Sequence, residues 1–162
     1  MKNRADAFEY RYQIFCYMGK YRLGDSPLLI KSRSFAVRIT KMVDYLQRKK
    51  NLRCGYIYSQ ILRSGTSIMA NISEAQFAQS QADFITKFHI ALKEANETKN
   101  WLFLLNCNNA FINNEYESIS NDCNEIIAIL VASLNTSKNN LISKNITKNV
   151  KGVKNDKVED EL

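Results

Sequence analysis

The chain is 162 residues long and 45% hydrophobic, and its 23 Lys and Arg outweigh 16 Asp and Glu to give a formal net charge of +7. That length and apolar content suit one domain with a core of ordinary size and exclude disorder of the whole chain. The charge sits mostly at the ends: residues 1–33 hold seven basic and three acidic groups, residues 138–162 six and four, and residues 34–137 a near-balanced ten and nine. Basicity alone therefore does not identify a nucleic-acid-binding face.

Residues 1–33 read as a basic leader in which Tyr10, Tyr12, Phe15, Tyr17 and Tyr21 alternate with Arg11, Lys20 and Arg22. The mixture suits base stacking with contact to phosphates, and equally an extra packed helix. Met18-Gly19-Lys20 offers a second start, which would leave the Tyr-rich segment outside the protein. Arg4, Asp6, Glu9, Arg11 and Lys20 break up the first twenty residues, so no secretory signal is predicted. Gly19, Gly24 and Pro27, the only proline, mark boundaries ahead of the first helix.

Helix one is predicted over residues 34–50, with Phe35, Ile39, Met42 and Leu46 on its buried stripe and Ser34 as N-cap. Residues 51–55 end it. Helix two is predicted over residues 56–78, where Tyr58, Ile61, Gly65, Ile68, Ile72 and Ala75 advance by alternating steps of three and four. Gly65 should destabilise this helix by roughly 1 kcal/mol relative to Ala, so a close backbone approach is expected there. Helix three opens at Ser80, with Asp83 in capping-box position, and carries the seam Phe84, Phe88, Ala91, Ala95, Thr98, Leu102 and Leu105. The short link makes helices two and three antiparallel neighbours.

After Cys107, Asn106, Asn108, Asn109, Asn113 and Asn114 supply turn chemistry, and Asn114 with Glu117 forms a second cap pair. Helix four then runs to about residue 138 with the stripe Ile119, Cys123, Ile126, Leu130 and Leu134, which Ile127 and Val131 widen. Beyond it, isolated Leu141, Ile142, Ile146 and Val150 among Asn, Lys and Ser bury too little apolar surface to offset ordering entropy, and residues 138–162 read as a mostly disordered tail. No segment is long and apolar enough to cross a membrane. The fold class is all-α, an antiparallel four-helix bundle over residues 34–137.

Polar residues beside these seams are Arg63, Asn71 and Glu74 on helix two and Glu94, Glu97 and Thr98 on helix three. A carboxylate-bridged di-metal site in a four-helix bundle needs Glu-x-x-His motifs. The sole histidine, His89, has Thr86 three residues before it, and reads as a helix-face residue near Ile85 and Leu92. An interhelical network in which Arg63 pairs with Glu94 or Glu97 is the plainer reading, able to fix register between helices or subunits. No nucleophile and base pair is recognisable, nor a phosphate-cradling Gly-rich loop, so no catalytic residue, cofactor or metal is assigned. Cys16, Cys54, Cys107 and Cys123 lack a CxxC spacing, and Cys123 falls on an apolar stripe, so they read as buried free thiols in a reducing cytosol. Arg38, Lys41, Arg48, Lys49, Lys50 and Arg53, along the outer side and end of helix one, have a spacing that suits phosphates and suits solvated side chains equally.

One ordered string stands out: Leu62-Arg63-Ser64-Gly65-Thr66-Ser67-Ile68, Ala70-Asn71-Ile72, Glu74-Ala75, Ala82-Asp83-Phe84-Ile85 and Ala91-Leu92-Lys93-Glu94-Ala95, leading to Glu97-Thr98 and Trp101-Leu102. It resembles the bacterial four-helix-bundle family of proteins encoded in intervening sequences of 23S ribosomal RNA genes, over residues 34–137. A more distant likeness is to the accessory variability determinant of diversity-generating retroelements, a basic pentameric barrel that works with reverse transcriptase and nucleic acid. The resemblance implies a homo-oligomer, a closed ring of five, without an established enzymatic activity, while the thiols and the absence of a spanning segment point to a cytoplasmic protein with no membrane partner. Arg63, Asn71, Glu74, Glu94, Glu97 and Trp101 match the family pattern and are assigned to internal and intersubunit architecture. The implied role is binding of structured nucleic acid, RNA before DNA. The alternative is a protein-interaction scaffold, or an accessory subunit for a nucleic-acid enzyme such as a reverse transcriptase.

Overall fold

The computed structural model describes residues 26–48, 55–111 and 114–156. Its regular elements are α1 (Pro27–Arg48), α2 (Gly55–Ala75), α3 (Gln81–Cys107) and α4 (Glu115–Asp156). Arg63 of α2 reaches Glu97 of α3 while Glu74, nearer the end of α2, reaches Lys87 near the start of α3, which fixes the pair as antiparallel. The α2–α3 seam is the most extensive, and α1 meets α4 along the sparsest seam, which closes the bundle. Lys31 with Glu125 (2.5 Å) and Arg38 with Asp122 pin that last seam.

The helix ends differ from the sequence expectation in instructive ways. Helix α1 begins at Pro27, not at Ser34: Ser26 is the cap, with Leu29 N–H donating to its Oγ at 3.3 Å and Ile30 N–H to its carbonyl at 3.1 Å. Proline breaks a helix interior but suits the first helical position, where its missing N–H has no partner to lose. The added turn buries Leu28, Leu29 and Ser32. Helix α2 stops at Ala75 rather than at residue 78, and three successive i to i+3 bonds tighten its exit, Gln76 to Ser73, Phe77 to Glu74 and Ala78 to Ala75.

Ser80 caps α3 as expected, accepting from Asp83 N–H at 3.1 Å, while the Asp83 carboxylate reaches back to Gln79 N–H at 3.2 Å. The other end of α3 closes with Ala110 N–H on Leu105 O and Asn109 N–H on Asn106 O, both 3.0 Å, and with Asn109 at φ 54°. That is a Schellman closure, and asparagine is the residue after glycine that tolerates its left-handed position. Helix α4 continues to Asp156 where a tail was expected from residue 138. Neither Gly nor Pro interrupts residues 138–151, so no backbone signal stops the helix there. Residues 1–25 and 157–162, the rest of the expected leader and tail, lie outside the described residues.

The seams read from periodicity meet in one core: Phe35, Ile39, Leu46, Ile61, Ile68, Ile72, Leu102, Leu105, Ile126 and Leu130 are wholly buried, as are Ala91 and Ala95. Met42, Phe84 and Ile127 pack against it from the edge. Val131 does not widen the stripe; it is 41% exposed, because α3 and α1 cover α4 only over the narrower arc. Gly65 lies against Ile39 of α1, and a Cβ there would meet Ile39 Cγ2 at 3.0 Å and Cγ1 at 3.1 Å. The glycine therefore makes room for the Ile39 side chain of α1, where a close approach of two backbones was expected.

Of the thiols expected to be buried, Cys107 is exposed at the end of α3, whereas Cys123 is buried, with its thiol donating to Ala95 O at 3.4 Å, and burial pushes that thiol up to about 12. The neutral form is what the fold holds, so this contribution is complete below the ordinary thiol range and declines as pH climbs from about 9 towards 12, where only the unfolded chain ionises. Accordingly, stability of the native chain should fall more steeply over that alkaline range than that of Cys123→Ala, measured by urea unfolding at stepped pH. Parallel curves would contradict it.

Candidate functional site

Two groups of polar residues were singled out by sequence, and the fold separates them. The first lies on α1. Lys41 and Arg48 are both exposed and two helical turns apart, which places them on one side of the helix. Arg38 does not join them. Its guanidinium turns to α4, bonding the Asp122 carboxylate, the Ser118 carbonyl at 3.2 Å and the Ser118 hydroxyl at 2.8 Å. Register explains the difference, since Arg38 is three residues before Lys41 and so about 60° round the helix from it, on the flank that α4 covers. Lys49, Lys50 and Arg53 lie outside the described residues.

The second group spans α2 and α3, and the fold brings most of it together. Arg63 forms the hub: Nη2 bonds Glu97 Oε1, Nη1 stands 3.8 Å from Glu94 Oε2, and Nε and Nη2 both reach Gln60 Oε1 at 3.4 Å. Trp101 Nε1 donates to the same Glu97 oxygen at 3.1 Å, and its ring meets Tyr56 edge-on with centroids 5.8 Å apart. Glu97 thereby ties the two helices and orients the indole. Glu94 Oε2 is buried and has no hydrogen bond, so its only compensation is the Arg63 charge at long range. Glu74 pairs separately with Lys87 at 2.5 Å, and its carboxylate raises the Lys87 ammonium above the ordinary lysine value. Asn71 serves its own helix, donating to Ser67 O at 2.9 Å. Beneath the charged layer the Thr98 and Ser64 hydroxyls share a buried hydrogen bond of 2.9 Å.

Among the described residues no cluster of three His, Cys, Asp or Glu side chains that could hold a metal ion is present. His89 is half-buried on α3. A shallow cleft of about 410 Å³ between α1 and α4 is lined by Pro27, Ile30, Lys31, Ser34, Phe35 and Asp122, and its one carboxylate is already engaged by Arg38. No helix among the described residues is long and apolar enough to cross a membrane.

One prominent residue escaped the sequence reading. Phe77 is 85% exposed on the hydrogen-bonded turn between α2 and α3. Its signal is a lone aromatic between Gln76 and Ala78, outside any seam.

Comparison with known proteins gives these features a context. A chain from Bacteroides thetaiotaomicron, described as a protein of unknown function from the S23 ribosomal protein family, is 48% identical, with a TM-score of 0.62, over 66% of this chain and 97% of that one. No curated protein matches. The model of the 23S rRNA-intervening sequence proteins matches residues 25–132, from just before the Ser26 cap through most of the α4 core stripe. With four helices in that span and the resembling string of α2 and α3 inside it, the chain belongs to the 23S rRNA-intervening sequence protein family.

Proposed function

We propose that the protein is a non-enzymatic, cytoplasmic, oligomeric helical bundle that binds structured nucleic acid, RNA in preference to DNA, through the outer side of α1. The observation that carries the reading is the placement of Lys41 and Arg48 on one exposed face about 10 Å apart along the axis, in a chain whose family is named for ribosomal RNA insertions. A long cation and a guanidinium held on a rigid rod contact phosphates without reading sequence. Assembly into a ring, five copies being the expected number, would multiply that face by symmetry. Exposed Tyr56, Ile90, Phe103 and Leu104 on α2 and α3 supply apolar surface for such contacts.

Exchanging Lys41→Gln and Arg48→Gln together should weaken binding of an RNA hairpin similarly for unrelated sequences and shrink the slope of log affinity against log salt by nearly 2. Salt-titrated filter retention reads both quantities, and light scattering on the same samples reads the assembly. Unchanged affinity and slope in the double variant would remove the α1 face from the proposal. A protein complex that survives nuclease treatment would replace RNA binding with the scaffold role.

A further inference from the structure

The outer side of α1 carries more than its two cations. Lys41, Asp44, Tyr45 and Arg48 are all exposed, and the Tyr45 ring stands among the charges at 45% exposure. Along the axis Tyr45 falls about 6 Å beyond Lys41 and about 4.5 Å short of Arg48, turned about 40° from the first and about 60° from the second. Asp44 is turned about as far to the opposite side of the line that joins the two cations. The α1–α4 seam explains why the ring is uncovered. Lys31 pairs with Glu125 and Arg38 with Asp122 and Ser118, so the two helices run in opposite directions. Tyr45 lies two turns past Arg38 on the same flank, whereas two turns back along α4 from Ser118 pass its first residue, Glu115. Tyr45 thus stands beyond the end of the helix that covers Arg38.

We infer that Tyr45 makes the α1 face selective for unpaired nucleotides: Lys41 and Arg48 take phosphates on either side of the ring, and the ring takes the base between them. The inference rests on the reading that the protein binds nucleic acid through this face, and adds which form of nucleic acid the face takes. Bases paired in a duplex are stacked on one another, whereas an unpaired base in a loop or a single strand can splay out onto an aromatic side chain. Asp44 sets the side. Repulsion from its carboxylate disfavours a phosphate backbone displaced towards it, which holds the strand next to the ring. An exposed tyrosine also suits a protein partner, but among the described residues of α1 Val37 is the only other exposed large apolar side chain, against Lys41, Asp44, Gln47 and Arg48. Charged residues, lysine above all, are depleted from the centres of protein interfaces, so this strip fits a polyanion better.

The test uses the full chain, a labelled oligouridylate short enough to stay unstructured, an RNA hairpin with an open loop, and a blunt RNA duplex with the sequence of the hairpin's stem. Tyr45→Ala should weaken binding of the oligouridylate and the hairpin roughly 5- to 100-fold with the salt slope unchanged, and leave duplex binding as it is. Tyr45→Phe keeps the ring and should bind all three as the wild-type chain does. Circular dichroism on both variants establishes that the helices persist. Oligouridylate affinity unchanged in Tyr45→Ala, or duplex affinity lowered by the same factor, overturns the inference and leaves the α1 face standing. Loss of assembly mass in Tyr45→Ala, read by light scattering with oligouridylate binding intact, assigns the ring to a contact between copies and overturns it too. No binding of any of the three by the wild-type chain overturns it together with the reading on which it rests.

Discussion

Gly65→Ala should destabilise the bundle by about 1 kcal/mol in chemical unfolding, although alanine is the better helix former by roughly that amount. The added methyl would press on Ile39 Cγ2 and Cγ1 at 3.0 and 3.1 Å, and Ile39 is wholly buried, so it can yield only by displacing its own core neighbours. Overpacking of this kind costs about 1–3 kcal/mol, which exceeds the propensity gain. Ile39→Ala removes both offending carbons. In that background, itself weaker by about 2–5 kcal/mol, Gly65→Ala should change sign and stabilise by up to about 1 kcal/mol. Stabilisation of equal size in both backgrounds would mean that α1 and α2 do not approach as closely as the structure has them.

Thr98→Val should cost about 1–3 kcal/mol, because it strips Ser64 Oγ of its cross-helix partner inside a buried seam. Thr98 is nearly isosteric with valine, so the loss reports the hydroxyl and not the volume. The Thr98 hydroxyl also sits 2.8 Å from Glu94 O of its own helix, a carbonyl whose intrahelical bond survives the change. Combining Thr98→Val with Ser64→Ala removes both polar groups and should cost less than the two single substitutions added together. Additive losses in that cycle would show that the two hydroxyls are satisfied independently.

The sequence makes the core of this fold legible and its edges much less so. Period alone places Ile61, Ile68, Ile72, Ala91, Ala95, Leu102, Ile126 and Leu130 correctly, since a helix that must bury one side writes that side into every third or fourth residue. Ser80 was readable as a cap because its partner Asp83 lies only three residues on. The start of α1 was not, because a proline carries opposite meanings at the first helical position and in an interior, and only the Ser26 geometry separates them. Arg38 and Lys41 look equivalent in sequence, yet their angular separation on α1 sends one to Asp122 and leaves the other exposed. That difference depends on where α4 sits, which no local pattern encodes. In residues 138–156 composition reports the absence of a core, and the helical backbone that runs to Asp156 is not legible in it.

The candidate network follows the same division. Arg63, Glu94 and Glu97 could be grouped from their positions beside two facing seams, and the structure adds that Glu97 is the shared acceptor for Arg63 and Trp101 while Glu94 Oε2 is left without a hydrogen bond. A partly exposed cluster of this kind contributes little net stability, and its use is to fix the relative setting of α2 and α3. It offers no proton donor and acceptor aimed at a common empty position. The proposed role rests instead on the outside of the rods, where Lys41 and Arg48 of α1 are exposed.

The most direct test of that assignment is the affinity of the unmodified chain for an RNA hairpin measured across a salt series. A straight, steep fall of log affinity with log salt, shared by hairpins of unrelated sequence, is the expected result. A flat salt profile, or no retention of RNA at low salt, would contradict it.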